Sequence, residues 1–265
     1  MKYKFMAVDI DGTLLDSNGI LTENNKEAIL RASEAGLVFT LSTGRPVQGV
    51  QSLINTLQLD TPVITYNGAM VITGKSREIL YEQKLSAEDA KNVIELGNQR
   101  GCLVTVWMEN KLYVNELSEK ALQYSTIAGI APEKILDVET LVRHGVTKVL
   151  WIDDPAVLER YQEEIGRYLS GNVNYHTSRP MFLEFVDKKA SKALAMEKIG
   201  EHFGIRREEM IAVGDGYNDL SMIEYAGLGV AMANAKEAIR QKADYVTLSN
   251  DDDGIAHVIR KFVLR

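Results

Sequence analysis

Short apolar runs at 4–10, 37–42 and 62–66 alternate with segments of helical period at 22–35 and 46–58. Runs this short and this apolar suit strands buried on both faces. Pro46 suits a helix start, where its missing N–H costs nothing. The alternation predicts a parallel sheet with helices on its faces. Asn67-Gly68, between apolar segments 63–66 and 69–72, predicts a hairpin.

From about residue 82 the pattern changes. Ser86-Ala-Glu-Asp89 predicts a capping box opening a helix that runs to about 100. Segments 102–108 and 111–114 predict a hairpin around Glu109-Asn110. Helical stretches at 118–128 and 155–169 flank a strand at 146–152, and strands 172–176 and 181–186 meet at Thr177-Ser-Arg179-Pro180. After 189 the alternation resumes: helix 190–203, strand 210–213, helix 217–225, strands 228–231 and 244–247, and a helix from about 252. The acidic run Asn250-Asp-Asp-Asp253 reads as a solvated helix start. The expected architecture is α/β: a doubly wound, mainly parallel sheet core over 1–83 and 188–265, carrying an inserted α+β domain over 84–187.

With 265 residues the chain has room for one or two domains. A net charge of -7 argues against a nonspecific nucleic-acid or anionic-membrane surface. It leaves room for an anionic small molecule wherever a cation inverts the local field. Cys102 is the single cysteine, which excludes an intrachain disulfide and points to a reducing, cytoplasmic setting. No apolar stretch approaches the ~18 residues of a membrane span. The four histidines lack zinc-ligand spacing, and Gly227-Leu-Gly229 lacks the third glycine of a dinucleotide loop.

The candidate chemistry lies where strand runs end. Asp9-Ile-Asp11-Gly12-Thr13 closes the first run, and residues two apart on a strand share a face. Two buried carboxylates raise each other's pKa unless a positive charge intervenes, which points to a hard cation and an anion-handling site. Ser42-Thr43-Gly44-Arg45, Lys192 and Gly214-Asp215-Gly-Tyr-Asn218-Asp219 fall at corresponding strand or helix ends. Ligands of open parallel sheets bind outside the carboxyl ends of the strands. Asp9, Asp11, Asp215 and Asp219 bring four negative charges, more than Lys192 and Arg45 balance.

These motifs together resemble the haloacid dehalogenase superfamily, and within it the Cof-type phosphatases with a C2B cap, most closely bacterial sugar-phosphate phosphatases. The resemblance extends over essentially the whole chain and implies a Rossmann-like core. It implies that Asp9 is the nucleophile, forming an aspartyl-phosphate, and that Asp11 is the general acid and then the base. It implies that Lys192 neutralises charge and that Ile10, Thr43, Gly44 and Asn218 bind phosphate or substrate, with Arg45 either contacting the substrate or pairing with a carboxylate. The resemblance further implies that Asp9, the backbone carbonyl of Asp11, and Asp215 hold Mg2+, with Asp219 in support. Relatives usually have glycine after the lysine; here it is Ala193, so Lys189 is the fallback. Asp11 favours a phosphatase or phosphomutase over ion-pumping ATPases and true dehalogenases, which lack a carboxylate there. Asn67 resembles the family's Asn-Gly-Ala segment near the site but reads better as a hairpin residue, and Asn234 reads as either a helix cap or a residue near the site. The expected partner is a small phosphomonoester, not nucleic acid or membrane, with the chain a monomer or small homo-oligomer. Phosphorylated cofactors such as flavin mononucleotide or pyridoxal phosphate, a phosphomutase, and a phosphometabolite-binding sensor are the alternatives.

Overall fold

Phe5–Asp9 forms β1, and every residue of it is buried. A strand covered on both faces has no solvent side, so its sequence is apolar without a period. The computed structural model describes residues 2–58 and 60–264. In chain order there follow α1 (Glu23–Glu34), β2 (Val38–Ser42), α2 (Gln51–Leu57), β3 (Pro62–Thr65), β4 (Met70–Thr73), β5 (Ile79–Glu82), α3 (Ala87–Gln99), β6 (Leu103–Met108) and β7 (Lys111–Val114). Next come α4 (Glu119–Ala128), β8 (Glu133–Lys134), α5 (Val138–Val142), β9 (Lys148–Ile152), α6 (Pro155–Glu164), β10 (Val173–Arg179) and β11 (Phe182–Asp187). The chain ends with α7 (Lys192–Phe203), β12 (Met210–Gly214), α8 (Leu220–Tyr225), β13 (Leu228–Ala231), α9 (Glu237–Arg240), β14 (Tyr245–Val246) and α10 (Gly254–Phe262).

Two compact units divide these elements: Met1–Thr43, Val50–Tyr81 and Ser191–Arg265 form one, Gly44–Gly49 and Glu82–Ala190 the other. The first unit's sheet has the order β14-β13-β12-β1-β2-β3-β4-β5. Strands β14 through β3 pair in parallel, and β4 returns antiparallel to β3. The path β1→β2→β3 steps one way across the sheet and β12→β13→β14 the other. Parallel crossovers are right-handed in about 98% of cases, so opposite directions put α1 and α2 on one face and α8 and α9 on the other. On the α7/α8 side, Phe5 and Ala7 pack with Ala195, Met196 and Met222. The direction reverses between β1 and β12, which opens a crevice at their carboxyl ends.

The second unit has a sheet of order β10-β11-β9-β6-β7-β8, antiparallel except for β7–β8. Val104, Val106, Val149, Trp151 and Phe185 pack with Val93 and Ile94 of α3 in its core. A buried ion pair, Lys148 Nζ to Glu184 Oε2 at 3.2 Å, joins β9 to β11.

Several boundaries differ from the sequence expectation. The predicted helix over 46–58 begins as a 3-10 turn at Val47–Val50 and becomes α-helical only at Gln51. The helix predicted to reach 169 stops at Glu164 and tightens into a 3-10 turn. β10 continues to Arg179 through a bulge, because Ser178 Oγ donates to Glu184 Oε1 at 2.7 Å and keeps the strands paired. The run Asn250–Asp253 opens the last helix with Asp251 and Asp252 exposed, as expected, and it is also tied to the first helix and the loop before it: Ser17 N donates to Asp251 Oδ1 (2.8 Å), and Thr22 Oγ1 and Asn24 Nδ2 donate to the two oxygens of Asp253 (2.5 and 2.6 Å). Among the described residues, no helix is long and apolar enough to cross a membrane.

Candidate active site

β1 delivers Asp9 to the crevice, with Ser42 of β2 in register beside it. The chain then leaves the sheet, as Leu14 N and Leu15 N both donate to Ile10 O at 3.0 Å. This turn overturns the expectation that Asp11 shares a strand face with Asp9. Strand alternation stops at Ile10, which is buried, and the Asp11 side chain is exposed. Gly12 makes the turn possible at φ +82°, and a methyl group there would lie 2.6 Å from Asp215 Oδ2. Thr13 Oγ1 donates to Asp215 Oδ1 at 2.7 Å and ties this loop to the end of β12.

Lys192 is the first residue of α7, capped by Ser191, whose hydroxyl accepts from Leu194 N at 3.1 Å. Its ammonium is wholly buried and donates to Asp9 Oδ1 (2.6 Å), Asp219 Oδ1 (2.6 Å) and Ser42 O (3.1 Å). All three N–H bonds are thereby used. Lys192, not Lys189, occupies the site; Lys189 is exposed. Asp219 Oδ2 accepts from Asp215 N (3.1 Å) and Gly216 N (2.8 Å), so this carboxylate holds both its own loop and the lysine.

Burial drives the Asp9 carboxyl up to about 7; Lys192 opposes this, while Asp219 and Asp215 add to it. Asp215 is also raised, first by burial and then, against its bond from Thr13, by Asp219 and Asp11. Burial works against the charge on Lys192, yet Asp219 and Asp9 hold its ammonium above the usual lysine range. Three carboxylates thus surround one ammonium.

Carboxylate oxygens of Asp9, Asp215 and Asp219 lie within 4.8 Å of one another. Asp219 uses both oxygens internally, whereas Asp9 Oδ2 and Asp215 Oδ2 take no hydrogen bond among the described residues. Two hard oxygens in an over-acidic, half-open cleft suit a small divalent cation that keeps several waters. The residues present therefore fit Mg2+.

Thr43 is buried, and its backbone joins the site to the β3–β4 turn: Thr43 N donates to Ile64 O (2.8 Å) and Asn67 N to Thr43 O (3.0 Å). Asn218 Nδ2 donates to Asn67 Oδ1 at 3.3 Å. Gly44 and Arg45 begin the segment counted with the second unit, where Arg45 Nη1 donates to Gly49 O at 3.4 Å. Three supporting residues carried weak sequence signals. Asn234 Nδ2 donates to Gly12 O (2.8 Å), Asn234 Oδ1 accepts from Asn250 N (3.1 Å), and Asn250 Nδ2 donates to Leu15 O (3.0 Å). Asn67 read as a turn residue, yet its amide belongs to the site. Polar residues in loops after strand ends were the available clue.

Residues 6–259 match the family model for haloacid dehalogenase-like hydrolase. The chain is 32% identical over 262 residues to 5-amino-6-(5-phospho-D-ribitylamino)uracil phosphatase YcsE of Bacillus subtilis (strain 168), covering 98% of this chain and 96% of that one. Among solved structures, a haloacid dehalogenase-like hydrolase from Bacteroides thetaiotaomicron superposes with a TM-score of 0.86 at 35% identity, over 98% of this chain and 99% of the other. The HAD subclass IIB sugar phosphatase BT4131 gives a TM-score of 0.78 at 28% identity, over 98% of each chain. The chain belongs to the haloacid dehalogenase-like hydrolases and is a phosphatase among them.

Proposed function

We propose that the protein is a Mg2+-dependent phosphatase that hydrolyses small phosphomonoesters, sugar phosphates foremost, through an aspartyl-phosphate on Asp9. The observation that carries this reading is the Lys192 ammonium bridging Asp9 and Asp219 beside Asp215. It fixes the rotation of the Asp9 carboxylate and offsets part of the charge that a phosphate dianion adds.

In the first step a carboxylate oxygen of Asp9 attacks phosphorus and the ester P–O bond breaks. The leaving alkoxide takes a proton from Asp11, which is exposed on the loop after β1. In the second step Asp11 takes a proton from water, the hydroxide attacks phosphorus, and Asp9 is released with inorganic phosphate. Thr43 and Asn218 orient the phosphoryl group and the substrate. Gly44 and Arg45 serve the same substrate. When bound by Asp9, Asp215 and the Asp11 carbonyl, Mg2+ stabilises negative charge on the phosphoryl oxygens. Asp219 keeps Lys192 and the Asp215–Gly216 turn in place. Residues 84–187 are proposed to form the inserted domain that sets leaving-group selectivity.

A panel of phosphomonoesters assayed for phosphate release with Mg2+ tests the reading. Sugar phosphates should turn over, and Asp9→Asn should abolish the activity while the fold survives. Retained turnover in Asp9→Asn removes the nucleophile assignment; tight binding without release from any ester indicates a sensor. Isomerised sugar phosphate in place of free phosphate indicates a phosphomutase. A second reading draws on the Bacillus subtilis relative: a phosphoribityl-bearing heteroaromatic ester should be on the panel, because that relative is named for one.

A further inference from the structure

We infer that the Tyr66-Asn67-Gly68 turn positions the catalytic lysine and Asn218, and that its left-handed backbone is the device that does so. The inference rests on the phosphatase reading for its kinetic consequences, but not for its structural ones. Between β3 and β4 the chain adopts positive φ at three successive residues: 52° at Tyr66, 56° at Asn67 and 97° at Gly68. Only glycine takes this conformation without cost, and Tyr66 is buried, so the surrounding structure holds the strain. A two-residue hairpin needs no third left-handed residue and no buried aromatic.

The strain has a local result. A methyl group on Gly68 would lie 2.1 Å from Ser191 O and 2.6 Å from Lys192 N. The turn therefore packs against the N-cap of α7 without intervening atoms. Asn67 reaches the other two motif loops: its N–H donates to Thr43 O (3.0 Å) and its Oδ1 accepts from Asn218 Nδ2 (3.3 Å). One turn thus touches the loops of Thr43, Lys192 and Asn218. The glycine sets how far Lys192 enters, and the amide holds Asn218. Neither residue touches the reacting atoms; both act through others.

The test compares Gly68→Ala, Asn67→Gly and Gly36→Ala with the parent. Gly36 has φ +95° and nothing within 4 Å of an added methyl, so it carries the backbone strain without the collision. Reductive methylation read by mass spectrometry reports Lys192 burial without reference to activity. Kinetics use p-nitrophenyl phosphate with Mg2+. Lys192 should resist methylation in the parent and in Gly36→Ala, and react about tenfold faster in Gly68→Ala. Displacing the lysine by about 1 Å should lower kcat about 100-fold in Gly68→Ala. Asn67→Gly keeps the left-handed backbone and removes the amide, so it should raise KM about tenfold through Asn218, with kcat within about twofold. A folded Gly68→Ala with Lys192 still protected, or Asn67→Gly with parental KM, overturns the proposal. If Gly68→Ala does not fold, Asn67→Gly alone decides. If the parent does not cleave the ester, the phosphatase reading fails and methylation of Gly68→Ala decides the positioning role; should that variant also not fold, the proposal is withdrawn.

Discussion

Asp9→Asn should make the metal-free protein more stable at pH 8 while removing its activity. Burial, Asp219 and Asp215 raise the Asp9 carboxyl from 3.8 to about 7 against the opposition of Lys192. Between those two pH values the folded protein keeps a proton that the unfolded chain has released. Rising pH therefore lowers stability across this window, and the loss is complete above the folded value. Each pH unit of displacement is worth about 1.4 kcal/mol, so the raised carboxyl costs about 4 kcal/mol at pH 8, where it is charged, and about 2 kcal/mol at pH 5, where it keeps its proton. Asparagine is a neutral near-isostere whose carbonyl oxygen still accepts from Lys192. Urea unfolding in chelator should show the variant ahead by amounts of that order, with the larger gap at pH 8. Saturating Mg2+ should close the gap by stabilising the parent alone. An asparagine variant equal to or less stable than the parent at pH 8 without metal would refute the argument that burial and the neighbouring carboxylates outweigh the Lys192 ammonium at Asp9.

Lys192→Met keeps the volume but strands Asp9 and Asp219, and should cost about 3–5 kcal/mol in denaturant titrations at pH 8 together with nearly all turnover. Gly12→Ala should reduce Mg2+ affinity, measured by calorimetry, because the added methyl meets Asp215 Oδ2 at 2.6 Å. Chelation should stop phosphate release reversibly, and added Mg2+ should restore it; full activity without metal would defeat the charge argument. Glu184→Gln should destabilise the second unit by about 3 kcal/mol, seen as a lower midpoint in thermal unfolding, because buried Lys148 loses its counter-charge.

The main elements were legible because buried strands and amphipathic helices leave long signals. β1, β2 and β12 follow from apolar runs, and α3 from its capping Ser86, whose hydroxyl accepts from Asp89 N at 3.0 Å. β5, β8, α5 and α9 were not legible: elements of four, two, five and four residues are too short to show a period. In the site, Asp9, Lys192, Asp215 and Asp219 stood out as charged residues at strand or helix ends. The place of Asp11 was misjudged because strand alternation was extended past Ile10, where backbone turns take over. Asn67 and Asn234 could be placed near the site only as one of two readings, and Asn250 not at all, because an amide that caps a turn and one that braces a distant loop look alike in sequence. Their partners are long-range, and one chain carries no signal for that.

The Asp9–Leu15 loop depends on groups far along the chain. Asp9 waits for Lys192, 183 residues away; Thr13 for Asp215, 202 away; and Leu15 for Asn250, 235 away. During synthesis the ribosome must therefore release the chain through Asn250 before this loop is fully braced. Until then β1 lacks its β12 neighbour and exposes an apolar edge, a state that holdase chaperones are suited to shield. A translation product stalled short of Lys192 lacks the ammonium and the carboxylates of Asp215 and Asp219, and should be inert.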